Sequence, residues 1–155
     1  AIIECFDISH LSGTSTVASM VQFRNAVPDK RNYRRFKIKS VDGVDDFKSM
    51  YEVVYRRYRR LRDENQEYPN LIVIDGGKGQ LQSARKALEE LNVKIPIISI
   101  AKRDEEIYVP GLSVPYRWDK KSTALKFIQE IRDEAHRFAI TFNRQLRSKK
   151  LYEDT

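Results

Sequence analysis

The stretch from Leu71 to Ala101 constrains the fold more than any other. Leu71-Ile72-Val73-Ile74 is a short run with no polar residue, entered through Tyr68-Pro69-Asn70 and left through Asp75-Gly76-Gly77-Lys78-Gly79-Gln80. Leu81, Ala84, Leu88 and Leu91 then recur at helical spacing, and Pro96 to Ala101 repeats the apolar run. A strand that is apolar on both faces is a strand covered on both faces. Strand, helix and strand with short connections predict a βαβ crossover, which requires parallel pairing and a right-handed connection.

Antiparallel elements precede it. Ile2 to Ile8 is apolar apart from Glu4 and Asp7, Ser15 to Phe23 alternates, Pro28-Asp29 marks a turn, and Asn32 to Lys39 alternates basic with aromatic or aliphatic residues. Three strands with short turns predict a meander. From Asp45 the period changes: Phe47, Met50, Tyr51, Val54, Tyr58 and Leu61 fall on one helix face, with Asp42, Asp45 and Asp46 as cap and dipole partners. After the crossover, Ile107 to Val109 and Val114 to Trp118 flank Pro110-Gly111 and predict an inserted hairpin. Ser122 to Arg147 carries Leu125, Ile128, Ile131, Ala135, Phe138 and Phe142 as the stripe of a closing helix. The expected fold is α/β: a mixed five-stranded sheet, three strands antiparallel and then a parallel βαβ unit, flanked by helices. At 155 residues this is a single domain over residues 1–155. The chain opens inside a strand without an initiator Met, as a piece excised from a longer protein would.

Composition narrows the chemistry. Lys and Arg number 29 against 22 Asp and Glu, a net charge of +7, which attracts polyanions. Cys5 is the only cysteine, so no intramolecular disulfide forms and a reduced, cytoplasmic setting is expected. With His10 and His136 the only histidines, a zinc cage lacks ligands, and a metal site here must rest on carboxylates, hence Mg2+ or Mn2+. No apolar run approaches the roughly 20 residues of a membrane span.

That element order resembles the ribonuclease H-like arrangement, in which carboxylates stand on the first strand and at the end of the fourth. Asp7 and Asp75 occupy those places, each among apolar neighbours where a lone carboxylate is costly. Together they offer hard oxygen ligands for one or two divalent ions in phosphodiester cleavage; singly, Asp7 could bind the Ser9 to Gly13 turn and Asp75 could cap the next helix. His136 lies on the shoulder of the last helix's apolar stripe, from which it can lean over the sheet as a metal ligand or a proton shuttle, or remain a surface histidine. Asp46, in the first turn of the long helix, is the candidate fourth acid, with capping as its alternative. The glycine loop after Asp75 fails the P-loop spacing, and no Ser or Thr follows Lys78-Gly79, so Lys78 is read as a DNA phosphate contact with the glycines giving the backbone room. Residues 30 to 62 interleave Arg and Lys, among them Arg56, Arg57, Arg59, Arg60 and Arg62, with Tyr and Phe, and predict a phosphate-tracking surface without sequence-specific readout.

Three strings carry a closer resemblance: Glu4-Cys5-Phe6-Asp7-Ile8-Ser9-His10, Ile74-Asp75-Gly76-Gly77-Lys78-Gly79-Gln80, and Arg132-Asp133-Glu134-Ala135-His136-Arg137-Phe138-Ala139. In this order they resemble the C-terminal endonuclease domains of the UvrC family, from Ile3 to about Lys149. The resemblance implies a ribonuclease H-like fold, an Asp7, Asp75 and His136 metal site with Asp46 as a further catalytic acid, and Mg2+ or Mn2+. It implies 5′ incision of the damaged strand of double-stranded DNA in bacterial nucleotide excision repair. Lys78, Arg132, Lys102 and His10 are the expected DNA contacts. The resemblance implies partnership with UvrB and the UvrA-loaded complex through regions outside this stretch, with no membrane, and a monomeric isolated domain. The rivals are a non-catalytic nucleic-acid platform, a Toprim-like module, whose Asp-x-Asp pair is absent at Asp75-Gly76-Gly77, and a ribonuclease acting on hybrids.

Overall fold

A computed structural model describes residues 1–10, 15–41, 43–101, 106–112 and 114–153, with residues 142–153 as backbone only. The elements are β1 (Ile2–His10), β2 (Thr16–Arg24), β3 (Val27–Pro28), β4 (Arg34–Lys37), α1 (Asp46–Asp63), β5 (Leu71–Asp75), α2 (Lys78–Leu91), β6 (Ile97–Ile100), β7 (Ile107–Tyr108) and α3 (Thr123–Glu153). β1 and β2 pair antiparallel, while β1, β5 and β6 run parallel, so the crossover read from the apolar runs is present. The order β4-β2-β1-β5-β6 is the expected five-stranded mixed sheet. Two-residue strands extend it: β3 pairs with β2 beyond the end of β4, and β7 pairs with β6.

Two local expectations shift. The first turn falls at Asn25-Ala26, not at Pro28-Asp29, because both of those residues take positive φ (52° and 68°), the twist that suits a two-residue hairpin. Pro28 instead lies in the edge strand β3, where its missing N–H does no harm. In the hairpin around Pro110-Gly111, the second arm reduces, among the described residues, to one bridge, Ile107 to Tyr116, on the edge of β7 opposite β6.

The sheet separates two cores. On one face α1 and α2 cover Phe6, Met20, Ile72 and Ile74; on the other α3 lays Ile128, Ile131 and Ala135 on Cys5, Val21, Val73 and Ile100. Met50, Val53, Val54 and Tyr58 of α1 are fully buried, but Phe47 is 53% exposed. Its first-turn position carries it past the sheet, where its ring lies over Gly79 at the start of α2; a Cβ there would meet the ring at 2.5 Å. Tyr51 too is only half-buried. Phe142 falls among the residues described as backbone only.

The apolar pattern of β1 hid a charged core. Glu4, 1% exposed, accepts hydrogen bonds from Gln22 Nε2 (2.7 Å), Tyr58 Oη (2.8 Å) and Arg57 Nη2 (2.7 Å). Burial, and then the charge of Glu4, push the Tyr58 hydroxyl well above its usual pKa. Arg57 is therefore no part of a phosphate-tracking surface: a buried carboxylate needs a cation, and this arginine supplies it. Arg56 binds Glu52, Arg60 binds Glu64 and Arg62 binds Asp63, so the expected basic surface along α1 is largely a set of local ion pairs.

Candidate active site

Strand pairing brings the two acids together. Residues of β1 and β5 pair in the parallel register Cys5 with Val73 and Phe6 with Ile74, and the next step sets Asp7 beside Asp75. Cys5 and Val73 face α3, so with a side-chain period of two the carboxylates face α3 as well. They are 4% and 7% exposed. The fully buried thiol of Cys5 registers both: burial raises its pKa first, and the charges of Asp75 and Asp7 raise it further, while Arg132 lowers it. A thiol so held stays protonated and is not a nucleophile.

α3 closes the site from above. Ser122 starts the helix, its Oγ accepting from Leu125 N (3.4 Å) and its carbonyl from Lys126 N. Ile131 and Ala135 pin the helix to the sheet, leaving His136 on the shoulder that the periodicity predicts. Its ring leans over the strand ends with Nδ1 3.4 Å from Asp7 Oδ2, and the side chain is 55% exposed. Asp75, Arg132, Asp133 and His136 line a cavity of about 250 Å³. Arg132 is fixed there by Asp133, at 3.1 Å, an acid that sequence reasoning passes over although it adjoins Arg132 in the third motif string.

The remaining expected residues are distributed as follows. Asp45, not Asp46, caps α1, its side chain accepting from Lys48 N at 3.0 Å. Asp46, freed from that duty, accepts from or is paired with His10 Nε2 at 2.5 Å, and the other ring nitrogen of His10 meets Thr16 Oγ1 at 3.0 Å. This pair sits at the end of β1, three residues beyond Asp7, so His10 and Asp46 engage one another at the same end of the sheet as the carboxylates. Lys78 begins α2, exposed, three residues after Asp75. The glycines around it serve packing: Gly76 lets Gln80 fold back, since a Cβ would lie 2.8 Å from its side chain, and Gln80 Oε1 then accepts from Gly77 N at 3.1 Å. Lys102 lies outside the described residues.

Among the described residues, no three His, Cys, Asp or Glu side chains stand at metal-holding distances. A hard divalent ion nevertheless fits this place by donor chemistry: two carboxylates side by side, both more than nine-tenths buried, repel each other and favour a cation between them. No helix among the described residues is long and apolar enough to cross a membrane.

Residues 1–140 match the family described as the UvrC RNase H endonuclease domain. UvrABC system protein C of Methanococcus maripaludis is 69% identical over 97% of this chain and 28% of its own length, and that of Cytophaga hutchinsonii is 58% identical over 96% and 25%. The chain thus spans little more than a quarter of the relatives it matches. Among solved structures, Ciona intestinalis endonuclease V in complex with an inosine-containing DNA aligns with 18% identity and a TM-score of 0.48, over 86% of this chain and 56% of that chain.

Proposed function

The chain belongs to the UvrC RNase H endonuclease domain family, and from that premise we propose that it makes the metal-dependent 5′ incision in the damaged strand of duplex DNA during nucleotide excision repair. The observation that carries this reading is the pair of buried carboxylates, Asp7 and Asp75, facing α3 in one row of the sheet with His136 3.4 Å from Asp7. A phosphodiester is itself anionic, so acids at the reactive centre of a basic chain make sense where a cation joins them to the substrate.

Asp7 and Asp75 would hold Mg2+ or Mn2+, with His136 as a third ligand or as the group that moves a proton. When bound, the ion polarises the scissile phosphate and makes water more acidic. His136 is exposed enough to exchange protons with solvent while its Nδ1 is held toward Asp7. Arg132, steadied by Asp133 at the cavity wall, would orient a non-bridging phosphate oxygen, and Lys78 would meet the backbone beside Asp75. Asp46 and His10, joined at 2.5 Å, would extend the site along the strand ends as fourth acid and DNA contact. Lys102 would add a further phosphate contact. In the cell the domain would work in the cytoplasm with UvrB and the UvrA-loaded complex, reached through parts of a longer protein; alone it would be monomeric.

Within the full-length protein, Asp7→Asn should abolish the 5′ nick in an end-labelled lesion duplex and leave the 3′ nick and DNA binding in place. A normal 5′ nick from that variant would overturn the assignment. Cleavage of an RNA–DNA hybrid faster than of the damaged duplex would redirect it toward a ribonuclease.

A further inference from the structure

Two apolar side chains stand in water at the end of the sheet where the acids lie. Val44 is 71% exposed and Phe47 more than half exposed, one on each side of the two aspartates that open α1. Packing within the chain accounts for neither. An apolar residue just before a helix cap ordinarily packs on the fourth helical residue, but here that residue is Ser49, buried, with its hydroxyl on Asp45 O at 2.7 Å. Phe47 belongs to neither core. It has a fixed place all the same. Gly79 lacks the Cβ that would meet Cζ of the ring at 2.5 Å, so the ring rests on the first turn of α2 with its remaining surface open to solvent.

The chain sets the distance to the acids. Asp46, the residue before Phe47, is joined to His10 at 2.5 Å, and His10 lies three residues beyond Asp7 on an extended strand, about 10 Å away. Gly79 follows Asp75 by four residues. One strand of a duplex rises about 3.4 Å per base, so the ring stands about three base steps from a phosphate held at Asp7 and Asp75.

The surroundings are cationic. Lys48 follows Phe47 and is exposed. Ile38 N donates to the carbonyl of Thr16, whose hydroxyl meets His10, and the exposed Lys37 and Lys39 flank Ile38 at the same end of the sheet. The two acids nearest the ring are engaged, Asp45 on Lys48 N and Asp46 on His10. A flat apolar ring among lysines suits a nucleic-acid strand: phosphates meet the cations and a base meets the ring by its π-face, whatever its identity. An apolar protein partner would leave the cations unmatched. A base inside an intact duplex has both faces covered, so only a base that has left the stack can use the ring.

We propose that Phe47 is a substrate-positioning residue: it stacks on an unstacked base of the incised strand, within about three nucleotides of the scissile phosphate. The inference rests on the incision reading above and deepens it, because it makes a locally opened strand the form of substrate that the site holds.

The test uses the full-length protein with UvrA and UvrB on an end-labelled lesion duplex, in which bases around the 5′ incision point are replaced one at a time by abasic sites. Phe47→Ala should slow single-turnover 5′ incision about tenfold and leave the 3′ nick unchanged. Phe47→Tyr, which keeps the ring, should recover most of that loss, whereas Phe47→Leu, apolar but without a flat face, should not. At one abasic position the wild type should slow by a similar factor and Phe47→Ala should slow no further, since the partner of the ring is already gone. Thermal unfolding of each variant reports on folding, and if Phe47→Ala unfolds, the contrast of Tyr with Leu and the abasic scan of Phe47→Leu decide. Losses that add at every position would overturn the proposal, as would wild-type incision by Phe47→Leu, the mark of a packing residue. The same scan is read as duplex affinity in an Asp7→Asn background. If Asp7→Asn still makes the 5′ nick, it is the incision reading that has failed, and the affinities judge the base contact alone: non-additivity at one position supports it and additivity throughout overturns it.

Discussion

Removing the cation from the buried Glu4 cluster should damage the fold more than any surface arginine could. Consider Arg57→Met, which keeps the apolar stem and deletes the guanidinium. Glu4 would retain its bonds from Gln22 and Tyr58 but lose the charged partner at 2.7 Å, in a place where the carboxylate is 1% exposed. Breaking one side of a buried pair typically costs about 3–5 kcal/mol. Arg57 is itself 8% exposed, so some water reaches the gap and the lower end, about 3 kcal/mol, is expected. Against a domain stability of about 5–15 kcal/mol that is a large share. With a urea m-value of about 2 kcal/mol per molar, the midpoint should fall by about 1.5 M in an equilibrium unfolding curve followed by far-UV circular dichroism. Adding Glu4→Gln should recover most of the loss: the charge disappears, an acceptor stays for Tyr58, and the new amide can donate to Gln22 Oε1, which is buried without a hydrogen bond in the native cluster. A midpoint shift below about 0.5 M for Arg57→Met, or a double variant as unstable as the single one, would refute the view of Arg57 as a counter-ion.

Other consequences are open to direct measurement. Asp45→Ala should cost about 1 kcal/mol in thermal or urea unfolding by removing the cap on Lys48 N, while Asp46→Ala should leave that cap intact. Gly79→Ala should be stabilising by about 1 kcal/mol only in a Phe47→Ala background, because the Cβ collides with the native ring; additive effects of the two changes would contradict the packing described. Burial alone would raise the pKa of Glu52, but hydrogen bonds from the Ser40 hydroxyl and N–H, from Lys39 N and from Arg56 outweigh it and hold the carboxyl below its usual 4.5. A depressed folded-state pKa stabilises above the unfolded value and loses that contribution as pH falls through the folded one. Glu52→Gln should therefore destabilise at pH 7, by about 1–2 kcal/mol, and the difference from wild type should shrink as pH falls through the depressed folded-state value; an equal difference at neutral and at acid pH would contradict this.

Much of the candidate site is legible in the sequence because its acids belong to local patterns. Asp75 ends an apolar strand and Asp7 interrupts another, and both stand out against a buried background. His136 is legible as a shoulder residue because Ile131 and Ala135 fix the helix phase. Glu4 interrupts β1 in the same way as Asp7, yet it is a structural carboxylate; the pattern marks a buried acid without saying which face it takes or what meets it. Arg57 sits in an arginine-rich run like its neighbours, and only its phase on α1 against Glu4 sends it inward. The glycines at 76 and 79 look like phosphate-loop residues, whereas contacts with Gln80 and Phe47 account for them.

By itself the sequence determined the βαβ crossover, the order of the elements, the acids on β1 and β5 and the histidine on the last helix, since periodicity and strand length depend on neighbours in the chain. Tertiary structure decided the partnerships: Asp7 beside Asp75 and below His136, His10 on Asp46, Glu4 on Arg57, and Phe47 on Gly79. A side-chain period assigns a residue to a face, but the residue it meets there depends on strand register and helix packing, which join positions far apart in the chain and are set by the burial of the two cores together.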